Sequence, residues 1–126
     1  MDETTDSALP CRVWWDEENQ VAHNDWLPGS VCDLAAARRV TAAVSAFGRG
    51  PVPVLVDMRF LAKADRAARE HFTSPEAQAT AVALLVASAV SKVVANFVIS
   101  VQRMPVPVRM FTDEASATTW LREQRE

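Results

Sequence analysis

Glycine is scarce in this chain of 126 residues, which has only three: Gly29, Gly48 and Gly50. All three flank the first predicted helix, and none follows a predicted parallel strand. A phosphate cradle needs glycine there so that backbone amides can approach the oxygens at positive φ. Nucleotide binding through a P-loop or a Rossmann turn is therefore disfavoured. Histidine is scarcer still. His23 falls in a predicted hairpin, His71 inside a predicted helix, and no GxSxG elbow occurs. An activated nucleophile with its base and orienting group has no visible place to form, and His71 reads as a partly exposed helical residue. The two cysteines, Cys11 and Cys32, show no ligand spacing to either histidine, so neither a zinc site nor any other metal or cofactor is expected.

Other absences bound the setting. The opening "MDETTDSALP" is acidic and polar, the opposite of a secretory signal, which points to a reducing cytoplasm with both thiols as small core or surface residues. No apolar run reaches the roughly eighteen residues that span a bilayer. There is no positive excess either. The formal net charge is -3, and the arginines alternate with acids along the chain, which argues against a polyanion groove and against nucleic acid as a partner.

What is present reads as an α/β domain. Hydrophobic residues make up 49% of the chain, enough for one core without disulfide or metal staples. Residues 1–10 are expected to be a flexible polar leader and 11–126 a single domain, with no internal repeat. "CRVWWDEENQVAHNDW" reads as a hairpin with strands near 11–15 and 20–26, turning at "DEEN". Alternation puts Val13 and Trp15 on one face and sends Trp14 to the other. A helix begins between Ser30 and Asp33, carries the stripe Ala36, Val40, Ala43, Val44 and Phe47, and stops at Gly48. "VPVLVDM" and "AVALLVA" look like strands buried on both faces, separated by a helical "KADRAAREHFTSPEA" with a break at Ser74-Pro75. "SAVSKVVANFVISVQRM" reads as an amphipathic helix with Ile99 alone on its polar side. "VPVRMF" is a last strand, and "TDEASATTWLREQ" a last helix capped by Thr112, with Trp120 and Leu121 facing inward. The expected architecture is a five-stranded, mostly parallel sheet with an N-terminal β-hairpin and about four helices.

In open parallel sheets the strands' carboxyl ends meet ligands and partners. The residues expected on that rim are Asp57, Arg59, Lys63, Asp65, Arg66, Arg69, Ser88 and Thr112. Asp57 and Asp65 stand on either side of a strand-to-helix connection. They could share a cation or act as acid and base, with Ser88 nearby. The competing and favoured reading is that Asp57 accepts from loop amides while Asp65 caps a helix, with Arg59, Lys63 and Arg66 competing for the carboxylates.

The element order from hairpin to last helix, with the "VLVDMRFL" strand and loop, resembles STAS domains, the modules of anti-sigma-factor antagonists and sulfate transporter tails. More narrowly, "ALLVASAVSKVVANF" with "PVPVRMFTDEASATTWL" is similar to small bacterial STAS-like or Sec14-like proteins. The resemblance implies a STAS-like fold. In the antagonists an Asp-Ser-Ser-Gly segment at the N-terminus of the second helix carries a phosphorylatable serine. The corresponding residues here are Asp65, Arg66, Ala67 and Ala68, so the aspartate is kept and the phosphoacceptor lost.

The expected function is a non-enzymatic, regulatory protein-interaction module that docks on a protein partner or forms a homodimer, with permanent charge from Arg66 and Arg69 where relatives use reversible phosphate. Trp14 and Ile99 are candidates for a self-association surface, although Trp14 could instead pack under the leader or the last helix. The alternative is a carrier or sensor of Sec14-like type, holding a small apolar ligand between the sheet and the valine-rich helix.

Overall fold

The computed structural model describes residues 9–72, 74, 78–87 and 106–124. Strand β1 (Cys11–Asp16) turns into β2 (Val21–Trp26) and pairs with it antiparallel, Trp14 opposite His23. The turn is closed by Asp16, whose Oδ1 accepts from the Asn19 N–H at 3.1 Å and whose Oδ2 accepts from the Asn19 amide at 2.8 Å. Gln20 completes the reversal at φ 57.

The chain then lays down a two-residue strand β3 (Val31–Cys32), helix α1 (Leu34–Ser45), strand β4 (Val52–Asp57) and a second two-residue strand, β5 (Lys63–Ala64). Helix α2 (Arg66–Phe72), strands β6 (Ala79–Leu85) and β7 (Val108–Phe111), and helix α3 (Glu114–Gln124) follow. The main sheet has the order β1-β2-β4-β6-β7, and every pairing after the hairpin is parallel. This is the expected mixed α/β architecture. Three helices lie among the described residues. The expected valine-rich helix, with Ile99 and the proposed wall of a ligand cavity, lies outside them, as does Ser88.

Burial explains why the apolar runs became central strands. Val52, Val54 and Leu55 of β4 and Ala81 through Leu85 of β6 are all buried, because helices cover both faces. On one face α1 and α2 pack Ala36, Ala37, Val40 and Ala68 against Val13, Trp26, Val82 and Leu84. On the other, α3 seats Ala117 and Leu121 on Val21, Leu55, Ala81, Ala83 and Leu85. Trp15 goes inward beside Ala22 and Val54, while Trp14 takes the opposite face. Leu9, in the expected leader, is buried in the first of these clusters.

Three local expectations are corrected. The helical reading of residues 63–77 began too early, because Lys63 and Ala64 pair in parallel with Val31 and Cys32 before the helix can start. His71 is buried rather than partly exposed, its Nε2 lying 2.9 Å from the Thr41 hydroxyl and so linking α2 to α1. The cap of α3 is Asp113, not Thr112: Asp113 Oδ2 accepts from the Ser116 N–H at 2.8 Å, which holds its carboxyl below the ordinary range. Asp113→Ala should therefore lower the urea midpoint of unfolding, whereas Thr112→Ala should leave it nearly unchanged. The reverse ranking would return the cap to Thr112.

Candidate functional site

Parallel pairing brings Asp25, at the end of β2, directly beside Asp57 at the end of β4. Both project onto the face that α3 covers. Asp57 is turned back on its own connection. Its Oδ1 accepts from the Arg59 N–H at 3.2 Å and from Arg59 Nε at 3.0 Å, and its Oδ2 accepts from Nη2 at 2.8 Å. Such a bidentate pair is charge-assisted and fixes the loop as well as the side chain. The Asp57 hydrogen bonds, aided by the fields of Asp57, Glu114 and Asp25, push the guanidinium further from deprotonation. Both Asp57 oxygens are thus engaged within its own connection.

Asp25 is the partner that the sequence reading missed. Its Oδ2 accepts from Trp14 Nε1 at 2.8 Å, with Arg12 Nη1 at 4.0 Å, and its buried Oδ1 has no hydrogen-bond partner. The Trp14 ring stacks on His23 with centroids 3.9 Å apart, and His23 Nε2 lies 3.0 Å from Asp16 Oδ2. Burial alone would raise the Asp16 carboxyl, but hydrogen bonds from Asn19, reinforced by His23, outweigh it and hold the group low. Trp14 is thus a half-buried spacer, engaged on its face and at its nitrogen within the same chain. The signal available beforehand was "HND", where His23 and Asp25 share a strand face two residues apart and Asp25 stands one residue before the end of its strand.

The remaining rim residues divide from this group. Asp65 caps α2, its Oδ1 accepting from the Ala68 N–H at 2.9 Å, and its own N–H donates to Cys32 O at 3.0 Å. Arg69 donates to Ala64 O at 2.6 Å, and Arg66 pairs with Glu70 at 3.0 Å along the exposed side of α2. Lys63 points outward beside Val31, and Thr112 is exposed between β7 and α3. Asp57 and Asp65 therefore serve separate structural tasks. Among the described residues no group of three or more acids, histidines and cysteines could hold a metal ion.

Sequence reasoning also missed an apolar surface. Among the described residues four large hydrophobic side chains are exposed, and three of them, Leu27, Val31 and Phe60, belong to the connections after β2 and β4. Those connections are fastened together. The Gly29 N–H donates to Phe60 O and the Ala62 N–H to Ser30 O, both at 2.9 Å, and the β3-β5 pair continues the ladder. Gly29 at φ 72 makes the turn that allows this, and because β2 pairs in parallel with β4, the expectation that no glycine follows a parallel strand is corrected here. Phe60 is 56% exposed with the Arg59 guanidinium 5.6 Å from its ring centre, so cationic groups frame a rigid apolar tip.

The sheet order and the N-terminal hairpin fit a STAS-like fold. The structure is similar to that of an uncharacterised DUF3478-family protein with a SpoIIAA-like fold from Shewanella loihica PV-4, with 13% sequence identity and a TM-score of 0.62. The alignment covers 88% of this chain and 91% of that one, and at such identity the likeness shows the fold alone. The chain belongs to the DUF7793 family, a domain of unknown function, whose profile matches residues 14–125. No curated protein matches significantly. Among the described residues no helix is long and apolar enough to cross a membrane.

Proposed function

We propose that this STAS-like chain is a non-enzymatic interaction module whose docking edge is the joined pair of connections after β2 and β4. The observation that carries the reading is the exposure of Leu27, Val31 and Phe60 on loops held by backbone hydrogen bonds. Holding apolar side chains in water on a rigid support is unfavourable unless a partner covers them, and rigidity lowers the entropy cost of binding. Lys63, exposed beside Val31, adds positive charge at its border, Arg59 is held there by its ion pair with Asp57, and Asp65-Arg66-Ala67 offers no hydroxyl for phosphate at the start of α2. Docking is therefore constitutive rather than kinase-operated.

The test compares proteins captured by the native chain with those captured by a Leu27→Ser, Phe60→Ser double variant of unchanged melting temperature. Loss of a specific partner from the variant supports the reading, as does loss of a homodimer in light scattering. An identical set of captured proteins and an unchanged mass would refute it. Asp57→Asn and Asp65→Asn are expected to reduce stability without revealing any turnover.

A further inference from the structure

Among the described residues strand β7 forms one border of the main sheet. Pro107 O accepts from the Val82 N–H and Phe111 O from the Val86 N–H, so by alternation the N–H and C=O groups of Val108 and Met110 point away from β6. Beside this free border lies an open groove of about 380 Å³ between β7 and α3. Phe111 and Trp120 form its apolar floor, their ring centres 5.7 Å apart, Ser116 and Thr119 place hydroxyls along α3, and Glu123 also lines it, which makes Arg109 the part of the groove that suits an incoming carboxylate. The Arg109 guanidinium lies over the Phe111 ring at 5.3 Å, and among the described residues no carboxylate pairs with it.

The other border differs. At β1 the Trp14 ring is stacked on His23 and bonded to Asp25, with Arg12 close by, so the side chains flanking that edge are already satisfied within the chain. At β7, among the described residues, backbone groups, an aromatic floor and a cation with no carboxylate partner are all left open on one side.

We propose that β7 and the β7-α3 groove receive an extended peptide segment of a partner protein by strand addition, with one apolar side chain on Phe111 and Trp120 and a carboxylate on Arg109. Strand addition draws affinity from main-chain hydrogen bonds and selectivity from pockets that meet alternate side chains. Side chains two apart on the incoming strand point to the same face, so the matching sequence places its apolar and acidic residues two positions apart. A second copy of this chain fits less well. Antiparallel self-pairing centred on residue 109 would set Arg109 opposite Arg109, like charges in direct apposition.

The test uses the full chain and a phage-displayed library of random dodecapeptides. The expected result is a set of peptides sharing an apolar residue and an acid two positions apart, whose binding slows exchange of the Val108 and Met110 amides. Met110→Pro removes one outward N–H at a position where an edge strand tolerates proline, and Arg109→Glu reverses the charge; each should weaken binding by about tenfold or more. Replacing the peptide's acid by lysine should restore binding to the Arg109→Glu protein, which decides the matter even if the proline variant fails to fold. The inference is overturned if no peptide is enriched, or if affinities ignore Arg109→Glu. It is equally overturned if Met110→Pro merely converts a dimer to a monomer, which would assign the edge to a second copy.

Discussion

Leu121→Ala is expected to lower the unfolding free energy by about 3–5 kcal/mol, toward the upper end of the range for truncating a buried leucine. Leu121 is fully buried and anchors α3 to the sheet. Beneath it the strands present Ala81 and Ala83, and Ala117 lies one turn earlier on the helix. The larger neighbours, Val21, Leu55 and Leu85, are themselves fully buried in close packing and cannot fill the void without opening another, so the cavity persists and its lining loses dispersion contacts. Urea unfolding with an unchanged m-value would measure the effect cleanly. A loss under about 1 kcal/mol would mean that α3 does not carry the packing described.

The second large effect concerns the thiols. Cys11 and Cys32 are both free and buried in the cluster beneath α1. Burial, reinforced by Asp65 and Asp33, pushes Cys32 from 9.0 up to about 12; burial, with Asp25, Cys32 and Asp57, raises Cys11 as well. At pH 8 the three-unit rise for Cys32, from 9.0 to about 12, leaves about a thousandfold less thiolate than an ordinary thiol has, and Ellman's reagent should react correspondingly slowly until the chain unfolds.

The same shift sets the alkaline limit of stability. The folded pKa values lie above the unfolded ones, so the stabilisation is complete below pH 9. It is lost as pH rises toward the folded values, because the unfolded chain releases protons that the folded chain keeps. Each thiol should steepen the decline by at most about 1.4 kcal/mol per pH unit above pH 9. Urea titrations at pH 8, 9 and 10 would show it, and a Cys11→Ala, Cys32→Ala double variant should have a flatter alkaline limb. Rapid thiol labelling of the native protein at pH 8 would contradict the burial described.

Much of the fold was legible because the signals were local. The continuous apolar runs of β4 and β6, the stripe of α1 and the Asp-Asn turn of the hairpin each depend on neighbours a few residues away. Where local signals competed, they misled. Lys63 and Ala64 have good helical propensity, yet two residues of pairing with β3 claim them first. Thr112 and Asp113 are adjacent residues that can both cap a helix, and the path of the chain out of β7, with the better capping of a carboxylate, selects Asp113.

The site was less legible than the fold. Asp57, Arg59 and Asp65 could be placed on the rim because they follow a recognisable strand, and their structural roles followed from helix capping and loop geometry. Asp25 could not be joined to Asp57 in advance, since their adjacency depends on register between strands thirty residues apart in sequence. Leu27, Val31 and Phe60 posed the same difficulty. Each alone is an unremarkable loop hydrophobe, and they become a surface only when backbone hydrogen bonds tie one connection to the other.

The amino-acid sequence by itself determined the class of fold and the position of the main strands. Periodicity and residue type act over one or two turns of chain, which is why these could be read directly. Only the tertiary structure decided that Asp25 stands beside Asp57, that Trp14 is engaged within its own chain, and that the connections carrying Leu27, Val31 and Phe60 are joined by backbone hydrogen bonds. Those outcomes depend on strand register and on which connections become neighbours, and both are set when distant segments pack together.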